Sequence, residues 1–257
     1  MLIYDKNPDV PSPVRLPSLS LLSWGLGMVR FTWAFRRESP FWYAYYNYTP
    51  GAVIEFQGRE LALGPETIVL VPPHTPFATR NTGPFEHLWF HFVVAGRQPS
   101  IRPEPLEIPA KPFLPFLRRL RDECREDGDP CLLGGLLLLV LASLPEDSHV
   151  GRPEWDERLP RAIALLSGGV SVAETARRLG MSTGNFQRLF RRFMETAPKA
   201  FAMQLRLENA RRALELGRQS IAEIAADNGF ADRYAFSKAF RGYAGCPPAA
   251  YRRQTGL

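Results

Sequence analysis

An internal repeat in the last hundred residues constrains the fold more than any other feature of this sequence. The tetrapeptide SVAE at positions 171–174 recurs 49 residues later as SIAE at positions 220–223. Further matches follow at an offset of 49 and then of 50, pairing Gly180 with Gly229, Phe186 with Phe236, Phe190 with Phe240, Arg191 with Arg241 and Pro198 with Pro248. A match of this length is hard to obtain by chance, so the sequence predicts two copies of one supersecondary unit.

Each copy is predicted to form two helices joined by a short turn. The tetrapeptide is a capping box, in which the serine accepts a hydrogen bond from a free helical N–H and the glutamate reaches back to the serine N–H. A glycine follows, Gly180 or Gly229, where the chain can adopt a left-handed conformation at little cost. The second helix starts at an N-cap residue, Ser182 or Asp232. This is the helix-turn-helix layout.

The second helix of each copy has one apolar face and one face without acidic residues. Apolar side chains recur at helical spacing, namely Phe186, Leu189, Phe190 and Phe193 in the first copy and Phe236, Ala239, Phe240 and Tyr243 in the second. No acidic residue occurs within 183–192 or within 233–243. Glutamine and arginine form paired hydrogen bonds with adenine and guanine in the major groove. The duplicated pattern therefore favours DNA recognition over the alternative, a solvated basic face.

Charge is distributed unevenly along the 257 residues. Residues 1–156 carry 15 Lys and Arg against 18 Asp and Glu, a net charge of −3, whereas residues 157–257 carry 17 against 8, a net charge of +9. A near-neutral front part and a basic back part indicate two domains, of which the second faces a polyanion.

The front part is predicted to form a β domain followed by two helices. Short aromatic and β-branched segments between Gly and Pro turns are typical of a sandwich or barrel, with candidate strands at 41–48, 52–56, 59–63, 67–71 and 86–94. Residues 97–110 are rich in Pro and Ser and are expected to form a loop. Helices are expected near 113–126 and from Pro130, capped by Asp129, to Leu144. An antiparallel helical hairpin is the simplest arrangement of these two helices.

These patterns divide the chain into a β domain at 1–110, a helical hairpin at 111–145, a polar linker at 146–157 and a helical domain at 158–257. The N-terminus lacks the apolar core of a secretory signal. The longest apolar run, residues 131–144, is shorter than the roughly 20 residues of a membrane span. The three cysteines form no CxxC pair. We therefore expect a cytoplasmic protein with no membrane partner.

Short motifs in the back part carry a family resemblance. They are ARRLGMS at 176–182, FQRLF at 186–190, IAEIA at 221–225, NGF at 228–230 and FSKAF at 236–240. With them, residues 158–253 resemble the DNA-binding domain of the AraC family of transcription factors. The resemblance implies two helix-turn-helix units joined by a long helix at about 198–216, whose recognition helices enter successive major grooves of double-stranded DNA.

The resemblance also implies which side chains contact DNA. The candidates for base contact that it implies are Gln187, Arg188, Arg233, Tyr234 and Lys238, and Ser237 is added because it lies on the same outer stripe of the second helix. Gly184 has no side chain to reach a base, so Thr183 and Asn185 join the candidates. Arg191, Arg192 and Arg241 are expected to contact phosphates. Glu195 departs from the family pattern, which has a glycine in this turn.

Three of the four histidines, His74, His87 and His91, lie in the β region. One interpretation is a metal-dependent enzyme of the cupin type, which needs a close His-x-His pair together with a Glu and a further His. His87 and His91 lie four residues apart on a strand, too far apart for an easily shared ion. We therefore expect no metal, no cofactor and no catalytic residue.

The other interpretation of the front part is a sensor. The motifs TPG at 49–51, LGPE at 63–66, VPPHTP at 71–76 and HLWFHF at 87–92 resemble the cupin-like sensing domain of sugar-responsive AraC-family members. On the last strand one face collects a tryptophan and two imidazoles, which suit the C–H face and the hydroxyls of a sugar. The candidates for effector contact are His74, His87, Trp89, His91, Tyr43 and Tyr45. The alternative is a core rich in Trp and His that binds no ligand.

The sequence therefore predicts an α+β protein of two domains, a cupin-like β-barrel with a helical hairpin and an all-α double helix-turn-helix domain. Its predicted function is transcriptional regulation by DNA binding in response to a small molecule, with a saccharide as the candidate effector. The hairpin at 111–145 is expected to mediate dimerisation or interdomain contact, and the expected oligomeric state is a homodimer. RNA polymerase is an expected partner if the protein activates transcription. The alternative is a regulator that needs no ligand and whose front domain only dimerises.

Overall fold

The computed structural model describes residues 18–95, 102–123, 128–144, 156–217 and 219–255. Within these residues nine strands are followed by a short 3-10 turn and nine helices. The expected linker at 146–157 lies outside the described residues except for its last two. None of the described helices is both long and apolar enough to cross a membrane.

The N-terminal domain consists of two antiparallel sheets. Its strands are β1 (Ser18–Val29), β2 (Phe35–Arg37), β3 (Trp42–Asn47), β4 (Ala52–Phe56), β5 (Arg59–Leu63), β6 (Thr67–Val71), β7 (Phe77–Asn81), β8 (Phe85–Ala95) and β9 (Leu106–Pro109). One sheet has the order β1-β8-β3-β6-β9 and the other the order β2-β7-β4-β5. Buried side chains from both sheets share one core. The β-rich domain is thus present as a two-layer sandwich and not as a closed barrel.

Four strands, β1, β2, β7 and β9, were not among those predicted from the sequence. Strand β9 lies within the expected loop at 97–110, but it pairs only with β6 at the edge of its sheet, where proline is tolerated. Strand β1 contains Gly25 and Gly27, which weaken a strand signal. Gly25 is needed because a Cβ atom there would lie 2.8 Å from the indole of Trp89.

The side chains of β8 alternate between two environments. The strand lies between β1 and β3. Leu88, Phe90 and Phe92 belong to a buried cluster shared with the helical hairpin. The intervening His87 and Trp89, together with His91, line a cavity on the other side of the sheet. The predicted separation of an apolar face from a Trp/His face is therefore confirmed.

The helical hairpin is formed by α1 (Leu114–Glu123) and α2 (Pro130–Ala142). It begins after a 3-10 turn at Lys111–Phe113. Asp129 caps α2, and its carboxylate accepts a hydrogen bond of 2.8 Å from the N–H of Cys131. Leucines of both helices pack on the five-stranded sheet. The described part of the hairpin thus covers the outer face of the sandwich.

The C-terminal domain is entirely helical. Its helices are α3 (Arg158–Ser167), α4 (Val172–Arg178), α5 (Thr183–Met194), α6 (Pro198–Leu216), α7 (Ile221–Asp227), α8 (Arg233–Ala244) and α9 (Pro248–Thr255). The pairs α4/α5 and α7/α8 are the two predicted helix-turn-helix units. The connecting helix α6 has the bounds that the family resemblance implied.

The two capping boxes form to different extents. Ser220 and Glu223 make both reciprocal hydrogen bonds at the start of α7. In the first copy Ser171 accepts a bond of 3.2 Å from the N–H of Glu174, but the Glu174 carboxylate binds the two arginines at the end of α4. The first box is therefore only half formed, because a nearby guanidinium pair competes for the glutamate.

A left-handed residue ends each recognition helix. In the second copy this residue is Gly245, with φ of 78°. In the first copy it is Glu195, with φ of 55°. The turn is the same in both copies although a side chain replaces the glycine, and this substitution stores some backbone strain.

Candidate DNA-binding surface and effector cavity

Helices α5 and α8 expose most of the side chains that the sequence assigns to DNA. Six of the eight candidates for base contact are exposed, namely Thr183, Asn185, Arg188, Arg233, Tyr234 and Lys238. The other two, Gln187 and Ser237, are half-buried. The three candidates for phosphate contact are also exposed, namely Arg191, Arg192 and Arg241. The apolar stripes lie on the opposite side of each helix, in the core.

Local contacts orient two of these polar groups. The guanidinium of Arg188 donates a hydrogen bond of 2.5 Å to Oδ1 of Asn185. The guanidinium of Arg233 lies 5.3 Å from the ring centroid of Tyr234, which is a cation–π distance. The Tyr234 side chain is 75% exposed, so its ring is available to a partner. Both helices thus present exposed hydrogen-bond donors.

A cavity of about 40 Å³ lies between the β sandwich and α6. The β domain contributes Trp33, Arg37, Tyr45, His87, Trp89 and His91 to its lining, and α6 contributes Arg211 and Glu215. A cavity of this size holds water, since pockets for small ligands measure roughly 300–1,000 Å³. Among the described residues no cluster of three or more His, Cys, Asp or Glu side chains could hold a metal ion.

The structure brings four of the six candidates for effector contact together around the cavity and places the other two outside its lining. Tyr45, His87, Trp89 and His91 line the cavity. Tyr43 does not line it, because its ring packs against those of Phe77 and His91 in the sandwich core. His74 is also absent from the lining, because the turn between β6 and β7 carries it to the end of α5.

The imidazole of His87 is neutral and presents an acceptor. Its Nδ1 lies 2.7 Å from Oδ1 of Asn47, and an amide oxygen can only accept, so Nδ1–H donates. Burial lowers the pKa of His87 to about 3. At neutral pH Nε2 therefore carries a lone pair. This nitrogen can accept a hydrogen bond from a hydroxyl.

The imidazole of His91 is also neutral, but it makes a contact across the domain boundary. Its Nδ1 lies 3.1 Å from Oγ of Ser23 and 3.2 Å from Oε1 of Glu208. Burial lowers the pKa of His91 well below its usual value, and this effect outweighs the attraction of the Glu208 carboxylate. Nδ1 thus forms its hydrogen bond with the Ser23 hydroxyl, and the Glu208 carboxylate lies in electrostatic contact beside it.

Glu208 on α6 is the centre of a buried charge network. Arg37 donates to Oε2 at 2.9 Å, Arg211 donates to Oε1 at 2.5 Å, and the Tyr243 hydroxyl donates to Oε2. Burial alone would raise the pKa of Glu208, but Arg211 and Arg37 outweigh it and hold this pKa well below its usual value. One ionised carboxylate thus connects the β domain, α6 and the second recognition helix.

Sequence analysis missed Arg37, Glu208 and Arg211 as site residues. Glu208 and Arg211 lie three residues apart, which is the spacing of ordinary ion pairs on helix surfaces. Their side chains are only 2% and 8% exposed because the β domain covers them. No local pattern distinguishes a covered pair from a solvated one.

Trp89 lies between the cavity and α6. Its ring has the guanidinium of Arg211 at 5.5 Å and that of Arg212 at 5.2 Å. These are cation–π contacts between the β domain and the helix that connects the two helix-turn-helix units. Trp89 therefore belongs both to the cavity wall and to the domain interface.

Comparison with known proteins supports the helix-turn-helix interpretation. A family model described as a helix-turn-helix domain matches residues 175–254. The chain is 30% identical over 134 residues to the raffinose operon transcriptional regulatory protein RafR of Pediococcus pentosaceus, covering 49% of this chain and 48% of RafR. It is 35% identical over 132 residues to the Msm operon regulatory protein of Streptococcus mutans, covering 48% of each. The chain thus spans about half the length of these curated relatives, which are regulatory proteins and not enzymes.

Solved structures support the two-domain fold. The apo ToxT K231A structure from Vibrio cholerae aligns over 91% of this chain and 98% of its own, with 11% identity and a TM-score of 0.58. Wild-type ToxT with a bound unsaturated fatty acid aligns over 94% of this chain and 98% of its own, with 10% identity and a TM-score of 0.57. At this identity the likeness concerns the fold alone.

Proposed function

Because the chain belongs to the AraC family of transcriptional regulators, we propose that it binds a specific operator through α5 and α8 and that a small molecule entering beside α6 regulates this binding. The observation that carries the proposal is the duplicated helix surface, which is exposed and free of acidic residues in both units. Two such helices can enter successive major grooves on one side of the DNA.

Base recognition falls to the polar side chains on the outer faces of α5 and α8. Arg188 is suited to paired hydrogen bonds with a guanine, and Gln187 to an adenine. The remaining candidates for base contact are Thr183, Asn185, Arg233, Tyr234, Ser237 and Lys238. Arg191, Arg192 and Arg241 neutralise phosphates and hold the helices in register.

Selection from a random duplex library by the full-length protein tests this assignment. We expect enrichment of a sequence with two boxes about one helical turn apart. The affinity for that sequence should fall steeply with salt, since each neutralised phosphate contributes about 0.9 to the slope of log K against log salt concentration. Failure to enrich any sequence at low salt would contradict the proposal.

A saccharide fits the chemistry of the cavity wall. The neutral imidazoles of His87 and His91 can form hydrogen bonds with hydroxyl groups, and the ring of Trp89 offers a flat apolar surface to sugar C–H groups. RafR, which resembles the chain over about half of each protein, is named for the raffinose operon. These observations together favour a hydroxyl-rich effector.

Effector binding requires the cavity to open. The present volume of about 40 Å³ is far below that of a ligand pocket. Arg211 and Glu215 of α6 form one wall, so displacement of α6 from the sandwich is the available route. A ligand that binds only the open arrangement shifts the protein toward it.

A thermal-shift screen of the full-length protein separates the effector hypotheses. Raffinose and simple monosaccharides form one arm of the screen and an unsaturated fatty acid, as in the ToxT structure, forms the other. A saturable increase in melting temperature with a saccharide supports the proposal. An increase with the fatty acid alone would contradict the saccharide assignment. No increase with any compound would favour the alternative, a regulator that needs no ligand.

The helical hairpin is proposed to form the interface of a homodimer. Helix α2 has no charged residue along its length. Its outer side chains are Cys131, Leu139 and Ala142, which are exposed, and the Leu139 side chain is 45% exposed. A helix that is apolar on all sides is stable when it is covered. A second copy of the chain would cover the exposed face of α2.

RNA polymerase is proposed as a further partner if the protein activates transcription.

A further inference from the structure

The β domain contacts the C-terminal end of each recognition helix. The Arg37 guanidinium donates a hydrogen bond of 2.7 Å to the hydroxyl of Tyr243, the residue before the last in α8. Nε2 of His74 lies 3.1 Å from the carbonyl oxygen of Met194, the last residue of α5. At the offset of 50 residues that relates these two helices, Met194 and Tyr243 occupy neighbouring positions. One domain therefore holds the same end of both units.

The contact at α8 is buried and tightly constrained. The Arg37 side chain is 8% exposed and also bonds to Glu208. Its guanidinium lies 4.9 Å from the ring centroid of Phe35 and 5.5 Å from that of Tyr243. Breaking a buried ion pair leaves an uncompensated charge, which is strongly unfavourable. The Arg37 contact therefore restricts the end of α8.

The contact at α5 involves a residue in a left-handed conformation. His74 has φ of 58°, a region that residues other than glycine rarely adopt but that His and Asn adopt more often than most. Its N–H donates a hydrogen bond of 2.8 Å to the carbonyl of Ser39. The carbonyl of Met194 is one of the last four in α5, which have no partner within the helix. Since a carbonyl only accepts, Nε2–H of His74 donates to it and supplies the missing partner.

We propose that Arg37 and His74 are positioning residues that fix the separation and angle of α5 and α8, so that the β domain sets the spacing between the DNA boxes that the protein accepts. Two recognition helices reach successive major grooves only when they lie about one helical turn apart. Helix α6 provides one connection between the units, and the two contacts of the β domain provide a second. The inference rests on the proposed role of α5 and α8 in DNA binding and needs no effector.

The test compares binding of full-length variants to DNA probes of different spacing. The sequence selected by the wild-type chain is prepared with its natural spacing and with one or two base pairs inserted or removed between the boxes. The variants are Arg37→Ala and His74→Asn, and asparagine tolerates the left-handed conformation. The control is Arg36→Ala, since Arg36 lies on the same strand and is exposed.

We expect the two variants to lose spacing discrimination. Affinity for the natural spacing should fall about tenfold, as for the loss of one hydrogen bond, while affinity for the altered spacings stays within about twofold. The control should resemble the wild type. An equal loss at every spacing would show a purely structural role and overturn the inference, and so would unchanged binding or a wild type without spacing preference.

A distance measurement keeps the inference testable apart from DNA binding. Spin labels are placed through Arg188→Cys and Lys238→Cys, both exposed positions, in a full-length chain whose three native cysteines are replaced by serine. The distribution of label distances should be wider in the Arg37→Ala chain than in the Arg36→Ala chain. Equal widths would overturn the inference. If the wild type selects no DNA, the proposed function fails, and this measurement alone decides whether the β domain positions the helices.

Discussion

His91 of strand β8 and Glu208 of helix α6 contact each other across the domain boundary, with Nδ1 3.2 Å from Oε1 and both side chains almost fully buried. The same carboxylate holds the guanidinium of Arg37 and the hydroxyl of Tyr243. Glu208 therefore links His91 of the cavity wall directly to Tyr243 at the end of the second recognition helix. One carboxylate thus joins the cavity wall to the second helix-turn-helix unit.

Replacement of Glu208 by glutamine is expected to destabilise the protein by about 3–5 kcal/mol, because the change leaves the buried guanidinium of Arg37 without its counter-charge and leaves Arg211 paired with Glu215 alone. Urea unfolding of the full-length chain measures the loss. The control is Asn209→Ala, at the exposed neighbouring position, which should change the free energy of unfolding by less than about 0.5 kcal/mol. A loss below about 1 kcal/mol for Glu208→Gln would show that the buried guanidinium groups do not depend on Glu208 for their counter-charge.

Stability is expected to fall in mild acid. Burial lowers the pKa of His87 from 6.5 to about 3, so the unfolded chain takes up the proton first. The contribution of His87 is fully present above about pH 6.5 and declines as the pH falls toward 3, by about 1.4 kcal/mol per pH unit. Glu208 adds a loss below its unfolded pKa of about 4.5, because its folded pKa is lower still.

Urea unfolding at several pH values between about 7 and 5 measures this dependence. Burial also lowers the pKa of His91 well below its usual value, so both histidines contribute to this dependence. His87→Gln keeps a hydrogen-bonding side chain that does not titrate, so it should reduce the slope in this range by about half. If the wild type and this variant show the same slope, His87 does not titrate differently in the folded and unfolded states.

The sequence was sufficient for the helical domain because its signals are local. The N-caps Ser182 and Asp232 accept the predicted hydrogen bonds, and α6 has the predicted bounds. A repeated motif reports these features twice, and each depends on residues within one or two turns. Signals of this kind do not depend on how the rest of the chain folds.

The interface could not be predicted because its partners are far apart in the chain. Arg37 lies on a strand of three residues, too short for a periodic signal. Its partner Glu208 lies 171 residues later in a helix with charged residues on several sides. The contact of His74 with the end of α5 is equally hidden, since a histidine in a turn gives no indication of the direction of its side chain. The contacts depend on how two domains pack, which no local pattern contains.

Leu139→Arg is expected to convert a dimer into a monomer. The change places a charge on the exposed apolar face of α2, where burial against a second copy would require its desolvation. Sedimentation velocity measures the oligomeric state at matched concentrations. Met28→Arg is the control, since Met28 is equally exposed at 47% but lies on β1. A monomeric wild type, or a dimer that persists in Leu139→Arg, would place the interface elsewhere.

Arg188→Ala and Arg191→Ala are expected to affect DNA binding differently. Loss of the Arg188 guanidinium should cost about 1–3 kcal/mol on the selected operator and relax the preference at one base pair. Loss of Arg191 should weaken binding to all sequences alike and reduce the salt slope by about 1. Anisotropy titrations with the operator and with single-base variants measure both effects. The reverse pattern would mean that α5 is rotated relative to the DNA.

Trp89→Ala is expected to abolish the thermal shift produced by a saccharide, because the flat apolar surface against which the sugar packs is lost. His87→Ala should weaken the shift, since one acceptor for a hydroxyl disappears. Trp24→Ala is the matched control: Trp24 packs in the cluster beneath the helical hairpin and not in the cavity, so this change should lower the melting temperature and leave the shift intact. Trp89 also contacts Arg211 and Arg212. A lower melting temperature of Trp89→Ala is therefore expected for either role of this residue, and the size of the ligand-induced shift is the measurement that separates them. A ligand shift of full size in Trp89→Ala would show that this residue serves the domain interface only, and the effector would then have to bind elsewhere.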